Sequence, residues 1–315
     1  MKFLKRTTKI DFMSFAGAAL VLSIALNVLS IVSLATRGLN YGLDFTGGTL
    51  IEVSYPSPPT IGDVRQHLAA AGMPDSVVQS FGTATDIVVR IPPRAEGESS
   101  ADISTHVLKA LQQGVEGEIV MRRVEFVGPQ VGDDLTDQGI LAVIYSLVGI
   151  FFYLMFRFQW RFSVGAVVAT IHDVFVCLGF LSVFQVEFDL TAVAALLAVI
   201  GYSVNDTVVV FDRIRENFPR MLKALPRDVI NASINQTLSR TLMMSLTVLL
   251  TLVALYLFGG KILHSFSVTL LVGVVIGTYS SIYVASAAVL YLGVSKYDLM
   301  PVEKEGARAA IDSRP

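Results

Sequence analysis

Four ionisable residues stand inside apolar runs of this chain: His172, Asp173, Asp206 and Arg240. A charged side chain at the centre of a membrane helix costs about 2.5–3.5 kcal/mol on insertion scales, so each default reading is functional. Asp206 lies in Gly201-Tyr202-Ser203-Val204-Asn205-Asp206-Thr207, and its apolar run ends near Asp212. At the helical rise, that places Asp206 roughly 9 Å inside the end of the run. Arg240 follows Asn235-Gln236, which puts it roughly 6–8 Å inside the next run. Sequence neighbours of this kind are antiparallel, so the depths match and an Asp206–Arg240 pair is geometrically allowed.

Such a pair has a definite chemistry. Burial raises the pKa of a carboxyl group, and a nearby guanidinium lowers it. Arginine keeps its own proton throughout, so approach or withdrawal of Arg240 would change the proton affinity of Asp206. The pair then acts as a proton switch, with His172, Ser203, Asn205 and Thr207 as polar support. The same residues also fit a static ion pair between two helices, or side chains that never meet. His172-Asp173 falls about 15 Å into the preceding run, near its middle. Adjacent helical residues point about 100° apart, so one is expected to face the bundle and the other a partner. Asp173 reads as part of a proton path, or as a buried contact to Ser, Thr or Asn on a neighbouring helix.

The elements that must hold these residues are membrane helices. Of the 315 residues, 53% are hydrophobic and 16% charged, against about a quarter charged in soluble domains. Spanning takes about 20 mostly apolar residues, and every backbone polar group in lipid must be satisfied within the segment. Six helical spans are expected, at 12–35, 138–157, 163–184, 190–211, 239–258 and 266–293. The first is longer than the roughly 7–15-residue apolar core of a cleaved signal and reads as a retained anchor. In the last, Gly273, Gly277, Ser281 and Ala285 recur every four residues, a spacing that lets helices approach closely; what they pack against is open.

Lysine and arginine set the orientation. Lys2, Lys5, Arg6 and Lys9, then Arg157 and Arg161, then Arg213, Arg215, Arg220, Lys223 and Arg227, then Lys296, Lys304, Arg308 and Arg314 fall on one side. The short loops opposite hold Lys261. By the positive-inside rule the basic side is cytoplasmic, with both termini there. The expected organisation is a cytoplasmic N-terminus (1–11), the first span, an extracytoplasmic domain (36–137), a five-helix region (138–293) with a polar, partly helical interfacial loop (212–238), and a poorly ordered cytoplasmic tail (294–315).

Residues 36–137 read as strand, helix, strand, strand, helix, strand, with Thr60 as a helix cap. That order is the ferredoxin-like arrangement. The fold expected is therefore a polytopic α-helical membrane protein with a small α+β domain between its first two spans. Enzyme signatures are missing: there is no Gly-x-Gly-Asp, Gly-x-Ser-x-Gly, His-Glu-x-x-His or P-loop. A net charge of −2 and a single cysteine, Cys177, give no footing for nucleic acid, a disulfide framework or a zinc cluster. An ion gradient is the remaining energy source, and neither a cofactor nor a metal is expected.

Several segments resemble the SecD/SecF family of protein-export membrane proteins, on its SecF side. Gly42-Leu43-Asp44-Phe45-Thr46-Gly47-Gly48, Val127-Gly128-Pro129-Gln130-Val131-Gly132, the run from Asp189 to Thr207, Val210 to Asn217, Asn235 to Thr241, and Leu257-Phe258-Gly259-Gly260 carry the likeness. The resemblance implies half of a twelve-span unit of the RND superfamily, with SecD as the other half. It implies work with the SecYEG channel on exported preproteins, driven by the proton gradient in the bacterial inner membrane. YajC, SecA and membrane lipid complete the partners it implies. The family's proton-path residues carry over to Asp206 and Arg240. Gly42, Asp44, Gly47 and Gly48 carry its motif; the two glycines are read as structural, and Asp44 as a cap or bridge. Two other functions compete: an RND-type exporter of small molecules or lipids, disfavoured by the single small domain, and a scaffold that never titrates.

Overall fold

The computed structural model describes residues 8–80, 82–93, 100–260 and 262–294. Lys2, Lys5, Arg6, Phe81, Lys261 and the tail from 295 onward, with the order expected of it, lie outside the described residues. In chain order the elements are α1 (Ala16–Thr36), β1 (Asn40–Tyr41), α2 (Leu43–Thr46), β2 (Gly48–Ser54), α3 (Ile61–Ala70), β3 (Val77–Ser80), β4 (Asp86–Ile91), α4 (Ser100–Gln112), β5 (Val120–Val127), α5 (Pro129–Arg157), α6 (Trp160–Phe184), β6 (Glu187–Phe188), α7 (Leu190–Arg220), α8 (Pro226–Phe258), α9 (His264–Ser280) and α10 (Ser286–Tyr291). A π-turn, Ser281–Ala285, joins α9 to α10 without a break. Among the described residues six helices, counting α9 to α10 as one, are long and apolar enough to cross a membrane. This is a multi-pass membrane protein.

The helices outrun their apolar centres. Apolarity marks the part that suits lipid, whereas caps and prolines mark where a helix starts and stops. Pro129 stands at the first helical position of α5, a place its fixed φ suits, so the boundary expected at 137/138 falls inside α5. Pro226 opens α8 in the same way. The expected interfacial loop 212–238 is mostly the continuous ends of α7 and α8, with 221–225 between them.

Between α1 and α5, four antiparallel strands pair in the order β3-β4-β2-β5, which with α3 and α4 is the ferredoxin-like arrangement. Ile51 and Val53 of β2, Val89 and Ile91 of β4, Leu68 of α3 and Leu111 of α4 are fully buried between sheet and helices. Thr60 does precede α3, but its side chain makes no capping bond.

In the helical region, α6 and α7 are the most enclosed spans, while α5 and α8 turn long apolar faces outward. That is the arrangement of a bundle surrounded by apolar solvent. The small-residue stripe packs within the chain. A Cβ on Gly273 would overlap the Val199 side chain, and one on Gly277 would lie 3.3 Å from Ser203 Cβ, so both glycines face α7. On the other side of α6, a Cβ on Gly179 would overlap Ser30 of α1.

Candidate functional site

Asp173 and Asp206 are brought to the centre of the bundle by α6 and α7. Both are buried, at 0% and 2% exposure, so each must find its partners inside. Asp173 Oδ2 accepts from Ser203 of α7 at 2.5 Å and from Ser280 of α9 at 2.7 Å. Its Oδ1 lies 2.9 Å from His172 Nδ1. Asp206 Oδ2 accepts from Ser281 at 3.0 Å. Thr241 of α8 turns its hydroxyl toward the same carboxylate without closing a hydrogen bond.

The structure corrects two expectations here. His172 and Asp173 do not face different surroundings: both are buried and they contact each other. Nor does Arg240 pair with Asp206. The two stand at matching levels, each fourteen residues from its helix's end at the turn (206 to 220, and 226 to 240). They do not share a face. The inward stripe of α8 is Thr237, Thr241 and Ser245, four residues apart and all buried, while Arg240 is exposed. One residue is about 100° of rotation, enough to give the inward position to Thr241. Depth along a helix was legible from apolar runs; rotation around it was not.

Arg240 instead lines a polar crevice of about 520 Å³ with Asp212, Arg213, Glu216, Gln236 and Thr237. The two carboxylates there have other partners: Asp212 holds Arg157 at 3.0 Å, and Glu216 holds Arg213 at 2.7 Å. Arg240 forms no ion pair with either. Of the expected polar support, Ser203 bonds to Asp173, Thr207 is buried with its hydroxyl unbonded, and Asn205 is exposed on the outer face of α7.

Hydroxyl contacts continue beyond the carboxylates. Tyr202 donates to Ser245 at 2.9 Å, and Ser245 lies 2.7 Å from Thr278 Oγ1, which joins α7, α8 and α9. Nothing in the local sequence marks Ser280 and Ser281 as groups that touch a carboxylate. Ser281 was visible there only as one small residue of the packing stripe. The signal available was that this stripe carries a hydroxyl where its neighbours carry hydrogen or methyl. Among the described residues no cluster of three His, Cys, Asp or Glu side chains is placed to hold a metal.

The segment after α1 fastens the domain to this bundle. β1 pairs in parallel with β6, and Gly42 N–H donates to the Phe188 carbonyl at 2.8 Å. Asp44 Oδ2 accepts from the backbone amide of Leu190, the first residue of α7, at 2.9 Å. Gly47 and Gly48 have φ of +64° and +110°, values that glycine alone adopts readily. A Cβ at Gly48 would also overlap the Ile91 carbonyl.

Family models for "Protein export membrane protein SecD/SecF, C-terminal" and "SecD/SecF GG Motif" match residues 107–295 and 32–55 respectively. The chain belongs to the SecD/SecF family. It is 50% identical over 308 residues to Protein translocase subunit SecF of Vibrio alginolyticus, covering 97% of this chain and 98% of that one. Against Protein translocase subunit SecF of Pseudomonas aeruginosa the identity is 47%, with the same two coverages. Among solved structures, SecDF from Thermus thermophilus, titled a translocon-associated membrane protein, superposes with a TM-score of 0.82 at 34% identity. That match covers 93% of this chain and 39% of the SecDF chain. SecDF in a form titled super-membrane-facing gives 0.67 at 33% identity, covering 97% of this chain and 40% of that one. Both SecD/SecF models fall on the site: Gly42 to Gly48 lie in the glycine-motif match, and Asp173, Asp206, Arg240, Ser280 and Ser281 in the C-terminal match.

Proposed function

We propose that this chain is the SecF-type half of a proton-driven unit that assists protein export. Its other half is a SecD-type chain, and it works beside the SecYEG channel in the inner membrane. YajC, SecA and exported preproteins are further partners on this reading. Near-full-length likeness to proteins named Protein translocase subunit SecF supports the assignment. The chain spans 39% of the SecDF chain it matches, which leaves length for a second half there. The basic residues Arg157, Arg161, Arg213, Arg215 and Arg220 gather at the end of the bundle where α7 turns to α8, which supports a cytoplasmic setting for that end. The α+β domain is then periplasmic. No chemical reaction is assigned to the chain; its work is mechanical coupling.

The observation that carries the mechanism is Asp206, a carboxylate buried in the bundle that has, among the described residues, one hydroxyl donor and no cation bonded to it. On this reading Asp206 exchanges a proton when Arg240 comes near or withdraws, and Asp173 extends the path. Arg240 stands at the right level and forms no ion pair in its crevice. About 100° of rotation about α8 separates Arg240 from the inward position that Thr241 holds. The unequal match to the two SecDF forms fits an architecture with more than one arrangement.

The competing reading is a scaffold that never titrates, and the separation of Arg240 from Asp206 in this structure favours it. Asp206→Asn decides between them. The variant is expected to assemble with its partner half and lose gradient-dependent stimulation of export in membrane vesicles. Stimulation equal to that of the parent would establish the scaffold.

A further inference from the structure

The π-turn Ser281–Ala285 lies where α9 meets the two buried carboxylates. Turns of this kind inside an α-helix are rare and concentrate at functional sites. Two consecutive serines at its start reach two different helices: Ser280 bonds to Asp173 of α6 and Ser281 to Asp206 of α7. Ser286 holds the turn by donating to the Ser281 carbonyl at 3.1 Å.

Each of the two serine hydroxyls also has an acceptor in its own helix. Ser281 Oγ is 3.0 Å from the Thr278 carbonyl, the same distance as to Asp206. Ser280 Oγ is 3.2 Å from the Gly277 carbonyl. A hydroxyl has one proton to donate and lone pairs to accept with. It therefore has two settings. Facing an ionised aspartate, it donates to the carboxylate. Facing a protonated one, it turns its proton to the backbone carbonyl and accepts from the aspartic acid O–H. Neither setting moves a heavy atom.

Resting on the reading that Asp206 takes up and releases a proton, we propose that Ser281 is a positioning residue that keeps Asp206 hydrogen-bonded in both protonation states. Ser280 stands in the same relation to Asp173. An unbonded buried polar group is the costly outcome that this arrangement prevents. The groups around the carboxylates suit the role. Tyr202 and Cys177 lie near Asp206 and Asp173 on their own helices, and His172 adjoins Asp173. From the other helices, hydroxyls face them: Ser203, Thr241, Ser280 and Ser281. No charged side chain of α8 or α9 is bonded to either carboxylate, so the hydroxyls are the groups that must answer a change in protonation.

The test uses the full chain co-expressed with its SecD-type partner, in vesicles with an imposed proton gradient. The pH profile of export stimulation is measured for the parent, Ser281→Ala and Ser281→Thr, with Asp206→Asn alongside. Ser281→Ala is expected to displace the midpoint of the profile by about one pH unit, because of the two bonds lost the one to the ionised carboxylate is the stronger. Ser281→Thr, which keeps the hydroxyl, is expected to restore it. A Ser281→Ala profile that superposes on the parent overturns the proposal while leaving Asp206 as the titrating group. Full stimulation in Asp206→Asn overturns the underlying reading instead. If Ser281→Ala does not accumulate in membranes, Ser281→Cys, of similar shape and with only a weak donor, carries the same comparison.

Discussion

The backbone amide of Leu190 donates to the Asp44 carboxylate at 2.9 Å. The chain leaving α1 thus caps the helix that carries Asp206. A carboxylate at a helix N-terminus satisfies a free amide and meets the positive end of the helix dipole. Asp189 caps the same end through Ala192 N–H at 2.8 Å, so α7 starts under two acidic groups.

Asp44→Ala is expected to cost about 1 kcal/mol, the typical value of a lost cap. Asp44→Asn, whose amide oxygen still accepts, should lose less. Thermal unfolding of the purified protein in detergent measures both. Equal melting for Asp44→Ala and the parent would remove Asp44 from the joint.

Arg90 of β4 bonds to Glu187 of β6 and donates to the Tyr41 carbonyl at 2.9 Å, which ties the domain to the α6–α7 connection. Burial pushes the Glu187 carboxyl above its ordinary value of 4.5; Arg90 opposes the shift, and Asp189 and Asp44 add to it. A carboxyl that binds its proton more tightly in the folded protein contributes stability below its ordinary pKa. That contribution is lost as pH rises through the raised value. Hydrogen exchange at Gly42 is therefore expected to quicken, beyond its intrinsic pH dependence, as pH rises through that window. Glu187→Gln should abolish the extra dependence, and its persistence in that variant would place the titration elsewhere.

Gly48→Ala combines a φ of +110° with an overlap onto the Ile91 carbonyl, whereas Gly72→Ala faces a φ of +81° and open space. Strained positive-φ residues cost about 1–3 kcal/mol. Gly48→Ala should therefore exceed Gly72→Ala in destabilising the α+β domain. Limited proteolysis of the domain in the intact chain reads the difference, and equal rates would contradict the close approach of β2 to β4.

Gly273→Ala should push α9 from α7, because its new methyl overlaps Val199. Overpacking of this kind costs about 1–3 kcal/mol. Val199→Ala in the same chain is expected to return most of the loss. A double variant no more stable than Gly273→Ala alone would show that the two residues do not share this contact.

The sequence by itself determined the spans, the domain between the first two, and its strand and helix order. Those features rest on local signals: apolar length, two-residue alternation, prolines and glycines. It also marked Asp173 and Asp206, because a carboxylate in an apolar run is conspicuous wherever it points. Tertiary structure decided which side chains meet. Arg240 and Thr241 are adjacent in sequence and alike in depth, yet packing turned Thr241 inward and left Arg240 in a polar crevice. Ser280 and Ser281 gained their place from the π-turn and from the approach that Gly273 and Gly277 allow between α9 and α7. Rotation about a helix axis is set by the neighbours on all sides, and an apolar run whose residues are hydrophobic all round does not encode it.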